Sequence, residues 1–430
     1  MLNSKPIKLL IMGAVTSTGL SLINSKKAVS GGGWVENLVN ALSKVAEFDL
    51  SVAYFSHNTN EIISNEIDNV TYFVLPVDSK NLDGCSQLML NAMHEVYSRI
   101  EPDVVHIIGT EREYDYRLAE ICGFEKTIVS ITGLVSMCAL HYYGGVDSCY
   151  FVIPSLGDFI RHGGPQKEMK RFKQWGKYEK ELIKNVNHIF GRTTWDYACV
   201  KQINPNTHYH FCSEILNPTF FESSWDISKI KRHRIFVSQG SYPLKGLHQM
   251  IRALRLILDF YPDAQLVIAG PNIIKCESIM DRVKRTTYGS YIKKLIKKLS
   301  ISENRIMFTG SLDAKGMLNE YLKCNVFVLP SIIENSSNSL GEAMALGVPC
   351  VASCVGGNQD MLRDRVDGYL YPFDEFYMLA HYICEIFADD KKATAIGRSA
   401  HDSALSRFDP DRVVATTIDT YRTVFKENNM

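Results

Sequence analysis

Short apolar segments alternate with amphipathic ones through the second half of the chain. The segment RIFVSQG, from Arg234 to Gly240, has the uninterrupted apolar character of a buried strand, and apolar residues then recur at helical spacing from Leu247 to Leu258. The segments QLVIAGP, RIMFTG, VFVLPS, VPCVAS and GYLYP follow, each separated from the next by a loop or an amphipathic helix. This pattern predicts a parallel sheet covered by helices on both faces.

The first half follows the same pattern less regularly. Its predicted strands are IKLLIMG, LSVAYFS, TYFVLPV, DVVHIIG, KTIVSIT, NHIFGRT and HYHFC. The sequence therefore predicts an α/β fold of two doubly wound, Rossmann-like domains, residues 1–222 and 234–405, with a helix over 411–430 that packs back on the first domain. Because ligands bind beyond the carboxyl ends of parallel strands, we expect the two sheets to face each other across a cleft.

Composition narrows the class of protein. The 430 residues include 47 basic and 47 acidic side chains, a balance that gives no indication of nucleic-acid binding. The eleven cysteines contain no C-x-x-C pair, which favours a reducing cytoplasm. The N-terminal apolar run is too short to cross a bilayer and is predicted to be the first strand. We expect a cytoplasmic protein that is not integral to a membrane, although it could associate with a membrane surface.

The stretch ENSSNSLGE, from Glu334 to Glu342, places two acids around a turn that contains no basic residue. One interpretation is structural: Ser339 and Glu342 have the spacing of a capping box, and Glu334 is a solvated loop acid. The other is that the helix following a buried strand binds a phosphate through its free amides and the serine hydroxyls. Carboxylates on either side would then accept hydrogen bonds from sugar hydroxyls, a pattern that suits a nucleotide-sugar.

The segment SIIENSSNSLGEAMALGVPCVASCVGGNQD resembles the E-x7-E signature and the glycine-glycine segment of the fourth family of retaining glycosyltransferases, which have the GT-B fold. SYPLKGLHQMIRAL is similar to the lysine-glycine loop of that family, and FTGSL to its loop near the base. The resemblance is specific over residues 235–372. In the first half it rests on GGGW at 31–34 and on GRTTWDYA and INPNTHYHFC, which are similar to members that assemble bacterial surface polysaccharides.

The resemblance implies roles for individual residues. Glu342 would bind the ribose hydroxyls, Glu334 would lie beside the donor sugar, and Lys245 would bridge the diphosphate and stabilise the charge that develops as it leaves. This arrangement implies no divalent metal and no cofactor. The other predicted nucleotide-sugar residues are Gly32, Gly33, Gly310, Ser311, Asn335, Ser336, Ser337, Ser339 and Leu340.

The chain departs from the family pattern at two positions. Gly240 stands where members often have a second phosphate-binding arginine. Members also often have a histidine near the reacting centre, where this chain has Thr132 in SITG. His141, in ALHYYGG, is the nearest substitute, either as a catalytic residue or as an ordinary surface residue. Other acceptor-side candidates, Arg192 and Asp196, follow a predicted strand.

Three further patterns have structural alternatives. Asp409 and Asp411 have a D-x-D spacing but are better explained as the start of a helix, with Pro410 at its first position. His208 and His210 share a strand face without an evident third ligand, so we predict no metal there. Residues 161–184 carry eight basic and three acidic side chains on an amphipathic helix. That helix either rests on an anionic membrane or meets a lipid-linked acceptor, or its apolar stripe belongs to the core.

Together these observations predict a retaining, metal-independent glycosyltransferase. A nucleoside-diphosphate sugar, by resemblance a UDP-sugar, would donate to a glycan or lipid-linked acceptor in the biosynthesis of capsule, O-antigen or exopolysaccharide. Two alternatives remain open: a nucleotide-sugar epimerase or phosphorylase of the same fold, and a non-catalytic nucleotide-sugar sensor.

Overall fold

We describe the protein from a computed structural model over residues 5–13, 15–23, 33–78, 84–161 and 163–429. The chain divides into two compact units. The first comprises Met1–Ser136, Lys173–Asn217 and Phe408–Met430, and the second comprises Met137–Phe172 and Pro218–Arg407. The second unit therefore contains a segment from the first half of the chain, whereas the sequence predicts domains over residues 1–222 and 234–405.

The first unit is built on an eight-stranded sheet. Its strands are β1 Ile7–Met12, β2 Phe48–Ser56, β3 Ile63–Ile67, β4 Val70–Pro76, β5 Val104–Ile108, β6 Thr127–Ser130, β7 His188–Gly191 and β8 His208–Phe211. They are ordered β3-β4-β2-β1-β5-β6-β7-β8, and every neighbouring pair is parallel except β3 and β4. Strand β3 is not predicted by the sequence pattern, because this edge strand has a polar, exposed centre and lacks an apolar run.

The second unit contains a six-stranded parallel sheet. Its strands are β9 Arg234–Val237, β10 Gln265–Ile268, β11 Ile306–Phe308, β12 Val326–Leu329, β13 Cys350–Ser353 and β14 Tyr369–Tyr371, in the order β11-β10-β9-β12-β13-β14. The chain adds β10 on one side of β9 and β12 on the other, so the strand order reverses between β9 and β12. In doubly wound sheets this switch point is where ligands bind.

Helices connect the strands of both sheets. They are α1 Ser17–Ser21, α2 Gly33–Leu42, α3 Gln87–Ile100, α4 Glu113–Cys122, α5 Val135–Leu140, α6 Leu156–Ile160, α7 Pro165–Asn185, α8 Thr194–Ile203, α9 Leu247–Phe260, α10 Ile279–Lys284, α11 Thr287–Lys298, α12 Ala314–Lys323, α13 Asn338–Ala345, α14 Asn358–Met361, α15 Phe376–Ala388, α16 Asp390–Arg407 and α17 Pro410–Glu427. Among the helices of the described residues, none has the length and apolar content needed to cross a bilayer.

Aromatic side chains join the layers of each unit. In the second unit, the fully buried ring of Tyr321 on α12 packs edge-on against Phe236 of β9 and Phe327 of β12, with ring centroids 5.2 and 5.4 Å away. In the first unit, Tyr421 of α17 is fully buried, and its hydroxyl lies 2.7 Å from Nδ1 of His106. The last helix is thus part of the core of the first unit.

Candidate functional site

Helix α13 begins just beyond the switch point of the second sheet. Ser337 is its N-cap residue, and the Ser337 hydroxyl accepts a hydrogen bond from the amide of Leu340 at 3.4 Å. The alternative interpretation, a capping box formed by Ser339 and Glu342, is therefore wrong: the cap lies two residues earlier, and the Glu342 carboxylate is bonded elsewhere. Leu340 is fully buried and fixes the first turn of α13 in the core.

Glu342 is held by a tyrosine from the neighbouring helix. Its Oε2 lies 3.0 Å from the hydroxyl oxygen of Tyr321, which also lies 2.9 Å from the carbonyl oxygen of Ser339, so the two acceptors share the single phenolic proton. Burial, together with the charge of Glu342, raises the pKa of Tyr321 well above its usual value, so the phenol stays protonated and remains a donor. Sequence reasoning missed Tyr321, because its position gives only the signal of an apolar residue on an amphipathic helix.

Lys245 and Glu334 form an ion pair across the switch point. Lys245 follows β9, Glu334 follows β12, and the lysine Nζ lies 2.8 Å from Oε2 of the glutamate. Only 21% of the lysine side chain and 17% of the glutamate side chain are exposed, so the pair is shielded from water. Burial alone would lower the pKa of Lys245, but the Glu334 carboxylate and the neighbouring Tyr242 together outweigh burial and raise the pKa, which keeps the ammonium charged. Ser331 adds a second hydrogen bond to the same glutamate oxygen at 3.0 Å.

Two glycines allow the backbone to approach closely around Lys245 and Glu334. Gly246 has φ +66°, and a Cβ there would collide with the backbone oxygen of Pro330. Gly356 has φ +49°, and a Cβ there would collide with the backbone oxygen of Glu334. Both sites combine the left-handed region with close backbone approach, a combination that only glycine tolerates. Gly246 therefore lets the Lys245 loop approach the end of β12, and Gly356 lets the loop after β13 approach the backbone of Glu334.

Hydroxyl groups line the start of α13. Ser238, which follows β9, donates to the hydroxyl of Ser339 at 2.9 Å, and that hydroxyl lies 3.0 Å from the one of Ser337. Ser336 and Asn335 are buried beside them, with 9% and 5% exposure. The predicted serines are thus brought together with Ser238, whose role the sequence did not indicate.

The missing arginine has a steric explanation. A Cβ added to Gly240 would lie 2.9 Å from Cδ2 of the fully buried Leu247 and 3.3 Å from Cγ2 of Ile268. A long side chain at position 240 would have to displace the core at the start of α9. Lys245 is therefore the cation that this loop contributes.

The remaining donor-side candidates lie farther along the same sheet edge. Gly310 has φ +77° and forms reciprocal backbone hydrogen bonds with Gly270 at 2.9 and 3.1 Å, just beyond β11 and β10. Ser311 is exposed next to it. In the first unit, Gly33 begins α2, whereas Gly31 and Gly32 lie outside the described residues.

The acceptor-side candidates have mixed environments. Arg192 is 7% exposed and forms a buried ion pair with Glu214, and Asp196 is fully buried, where it completes a capping box with Thr193. These contacts stabilise the first unit and hold both side chains in its interior.

Thr132 and His141 differ in their surroundings. Thr132 follows β6, and its hydroxyl donates to the carboxylate of Glu111. His141 is exposed just after α5, within the segment that belongs to the second unit.

The three remaining sequence patterns have clear structural settings. Asp409 is the N-cap of α17 with Pro410 at its first position, as predicted for the D-x-D spacing. The ring of His188 stacks against those of His208 and His210 at centroid distances of 5.1 and 5.3 Å. Over the described residues, no group of three or more His, Cys, Asp or Glu side chains has a geometry that could hold a metal ion.

The apolar stripe of α7 belongs to the core. Trp175, Leu182 and Ile183 are 6%, 0% and 0% exposed. The ring of Trp175 is covered by the guanidinium of Arg112, with the guanidinium carbon 3.7 Å from the ring centroid. Of the two interpretations of residues 161–184, the structure therefore supports the core packing of the apolar stripe, which leaves only the lysine-rich face of the helix exposed.

Comparisons with known proteins agree with this architecture. Residues 221–403 match the family model described as glycosyl transferases group 1. The N-acetyl-alpha-D-glucosaminyl L-malate synthase of Bacillus anthracis is 24% identical over 283 residues, which cover 64% of this chain and 65% of the relative. The capsular polysaccharide biosynthesis glycosyltransferase CapM of Staphylococcus aureus is 23% identical over 43% of this chain and 44% of its own length. The chain spans about half the length of most of the curated relatives it matches.

Solved structures resemble nearly the whole chain. Sucrose-phosphate synthase from Thermosynechococcus elongatus superposes with a TM-score of 0.72 at 16% identity, covering 98% of this chain and 100% of that one. Anabaena Alr3699/HepE in complex with UDP-glucose superposes with a TM-score of 0.62 at 15% identity, covering 96% and 100%. The predicted fold of two Rossmann-like α/β domains, the GT-B architecture, is confirmed. The match to the family model of glycosyl transferases group 1, residues 221–403, covers every strand of the second sheet.

Proposed function

We propose that the chain is a retaining glycosyltransferase that uses a nucleoside-diphosphate sugar. The observation that carries the proposal is the shielded pair of Lys245 and Glu334 beside the start of α13, with Glu342 held by Tyr321 one turn farther on. The Lys245 ammonium, the N-terminal end of α13 and two carboxylates lie around one switch point. This arrangement fits a ligand with phosphates in its middle and hydroxyl groups at both ends.

In the proposed mechanism each group acts on a different part of the donor. Lys245 and the first amides of α13 bind the diphosphate and stabilise the negative charge that grows on it as the glycosidic bond breaks. Glu334 accepts hydrogen bonds from the donor sugar, and Glu342 accepts them from the ribose. Because Lys245 already has one carboxylate partner, the diphosphate becomes a second anion beside a fixed ammonium.

The acceptor would be a hydroxyl group of a glycan or of a lipid-linked sugar, with its binding assigned to the first unit. The acceptor hydroxyl attacks on the face from which the diphosphate departs, a donor phosphate oxygen takes its proton, and the anomeric configuration is kept. A UDP-sugar donor is supported by the structural resemblance to a protein solved with UDP-glucose. A role in surface polysaccharide biosynthesis is supported by the similarity to a capsular polysaccharide glycosyltransferase.

Two finer points belong to the same proposal. We assign the positive charge of the donor site to Lys245 and the α13 amides, so transfer should continue in the presence of a chelator. We also assign the exposed lysines of residues 161–184 to contact with anionic headgroups on the cytoplasmic face of a membrane.

A transfer assay with the matched variants Glu334→Gln and Lys245→Ala tests the proposal. Losing a charge aimed at the departing diphosphate should lower kcat by about 10²–10³-fold, and Glu334→Gln, which keeps the shape of the side chain, should also lower transfer. Lys315→Ala and Glu303→Gln change exposed residues of the same unit and should leave turnover unchanged.

Turnover close to normal in both site variants would refute the mechanism. Release of an altered nucleotide-sugar without any acceptor would indicate an epimerase instead. Tight UDP binding with no transfer to a broad set of acceptors would indicate a sensor.

A further inference from the structure

Seven large apolar side chains are exposed close together on the second unit. We call this set the apolar surface: Val152, Ile153, Leu156, Phe159, Ile160, Ile279 and Met280, which are between 55% and 81% exposed. Five of them fall within nine consecutive residues at and before α6, and the other two begin α10, the helix against which α6 packs. Exposed apolar residues are normally scattered singly, and a cluster of this kind marks an interaction surface.

The segment that carries the apolar surface is firmly held. The Ser155 hydroxyl donates to the backbone oxygen of Arg285 at 2.8 Å, and the Ser155 amide donates to the hydroxyl of Thr287 at 2.9 Å. The Arg161 guanidinium donates to the backbone oxygen of Lys284 at 2.5 Å. A Cβ at Gly157 would collide with that same carbonyl, so α6 lies directly on the end of α10.

The spacing of the apolar residues on α6 matches this attachment. Leu156, Phe159 and Ile160 are spaced i, i+3 and i+4 and therefore share one face of the helix. Gly157 and the buried Asp158 lie on the other face, where Asp158 accepts a hydrogen bond from the amide of Thr287 at 2.9 Å. The apolar face is thus directed away from the unit by a fixed scaffold.

Cations flank the apolar surface along the chain. Residues 161–172 include four basic and one acidic side chain, and residues 275–285 include four basic and two acidic ones, in a chain with no net charge. Arg161, Lys167, Arg282 and Lys284 are exposed in these two segments.

The acidic side chains of the same segments already form ion pairs within their own segment. Glu277 and Asp281 lie 3.3 and 3.8 Å from the ammonium of Lys275, and Glu168 lies 2.7 Å from the guanidinium of Arg171. The charge offered to a partner is therefore positive.

We propose that the apolar surface inserts into the headgroup region of an anionic lipid bilayer, with the flanking cations on the headgroups. Exposed Leu, Ile and Phe side chains beside Arg and Lys are the combination that interfacial binding requires. If the apolar surface binds protein instead of lipid, the experiment below shows self-association without vesicle binding. The inference goes beyond the proposed transfer reaction and does not depend on it.

Vesicle co-sedimentation of the full chain, without donor or acceptor, tests the inference. The chain should bind vesicles in which one lipid in three is phosphatidylglycerol, should bind pure phosphatidylcholine vesicles much more weakly, and should be released as ionic strength rises. The double variant Leu156→Ser/Phe159→Ser should weaken binding roughly tenfold. Arg282→Glu/Lys284→Glu should weaken it by a similar factor or more.

Matched controls are available in the same unit. Phe260 and Leu405 are 76% and 46% exposed away from this segment, so Phe260→Ser/Leu405→Ser should leave vesicle binding unchanged. Lys315→Glu/Lys391→Glu is the corresponding charge control, because both lysines are exposed. The midpoint of thermal unfolding should be the same in all four double variants, which separates loss of lipid binding from loss of fold.

Three results would overturn the inference. The first is binding to neutral and anionic vesicles alike. The second is equal binding by the apolar variant and its control. The third is concentration-dependent self-association that Leu156→Ser/Phe159→Ser abolishes in the absence of any vesicle binding, which would assign the apolar surface to a second copy of the chain.

Discussion

The buried hydroxyl of Tyr321 offers the sharpest test of the site. Tyr321→Phe removes one oxygen atom from a fully buried ring and keeps its packing against Phe236 and Phe327. The lost oxygen lies 3.0 Å from the Glu342 carboxylate and 2.9 Å from the Ser339 carbonyl oxygen. A hydrogen bond to a charged group contributes about 1.5–3 kcal/mol. We expect the free energy of unfolding to fall by about that amount.

The effect on ligand binding should be specific for the ribose. If Glu342 binds the ribose hydroxyls, a carboxylate without its tyrosine donor is less well positioned, and the Kd for UDP should rise about tenfold, which corresponds to about 1.4 kcal/mol. Because ribose contacts are the same in the ground state and the transition state, kcat at saturating donor should change little. Isothermal titration calorimetry with UDP and with 2′,3′-dideoxyuridine diphosphate separates a loss of ribose binding from a general loss of nucleotide binding. If only the ribose contact is lost, the dideoxy nucleotide should bind wild type and variant equally.

Tyr371 provides the control. It is fully buried in the same unit, and in the described part of the chain its hydroxyl has no hydrogen-bond partner. Tyr371→Phe should therefore change neither UDP affinity nor stability by much. An unchanged Kd for UDP in Tyr321→Phe, or an equal loss of affinity for both nucleotides, would refute the assignment of Glu342 to the ribose.

Three further predictions test the scaffold. Gly246→Ala should abolish most transfer, because its Cβ collides with the Pro330 carbonyl oxygen and displaces the Lys245 loop; an assay that finds wild-type kcat with a folded protein would contradict this. Burial lowers the pKa of His106 to about 3, whereas the same histidine in the unfolded chain takes up its proton near pH 6.5. The free energy of unfolding, measured by thermal denaturation, should therefore fall as the pH is lowered from about 6.5 to about 3, and should fall less in His106→Gln. Equal pH profiles for the two proteins would contradict this prediction. Arg192→Ala leaves the buried Glu214 without its guanidinium and should cost about 3–5 kcal/mol in denaturant unfolding, while a loss below about 1 kcal/mol would show that the pair contributes little.

Only part of the site could be predicted from the sequence. The lysine-glycine loop and the two glutamates are recognisable because each follows a strand and because their spacing resembles a known signature. Tyr321 and Ser238 could not be found, since one has the pattern of a core residue and the other follows a strand without a motif. Arg192 and Asp196 had a suitable position in the sequence, but their side chains turn into the core of the first unit.

The apolar residues before and within α6 show the same limit. Their hydrophobicity is plain in the sequence, yet hydrophobic residues are buried or exposed according to what packs on them, and only the attachment of α6 to α10 shows which face is left uncovered. The lysine-rich helix α7 shows the converse. An amphipathic pattern predicts an apolar face but does not say whether protein or lipid covers that face, so both interpretations stayed open until the structure placed the apolar stripe in the core.

The sequence by itself determined the class of fold, because the period of apolar residues is a local property and distinguishes strands from helices wherever the run is regular. It also determined the loops in which the chemistry lies, since these follow the strands. The tertiary structure alone decided which side chains meet at the switch point, that Lys245 faces Glu334 across it, and that residues 137–172 group with the second unit. Those outcomes depend on contacts between residues far apart in the chain, which no local pattern records.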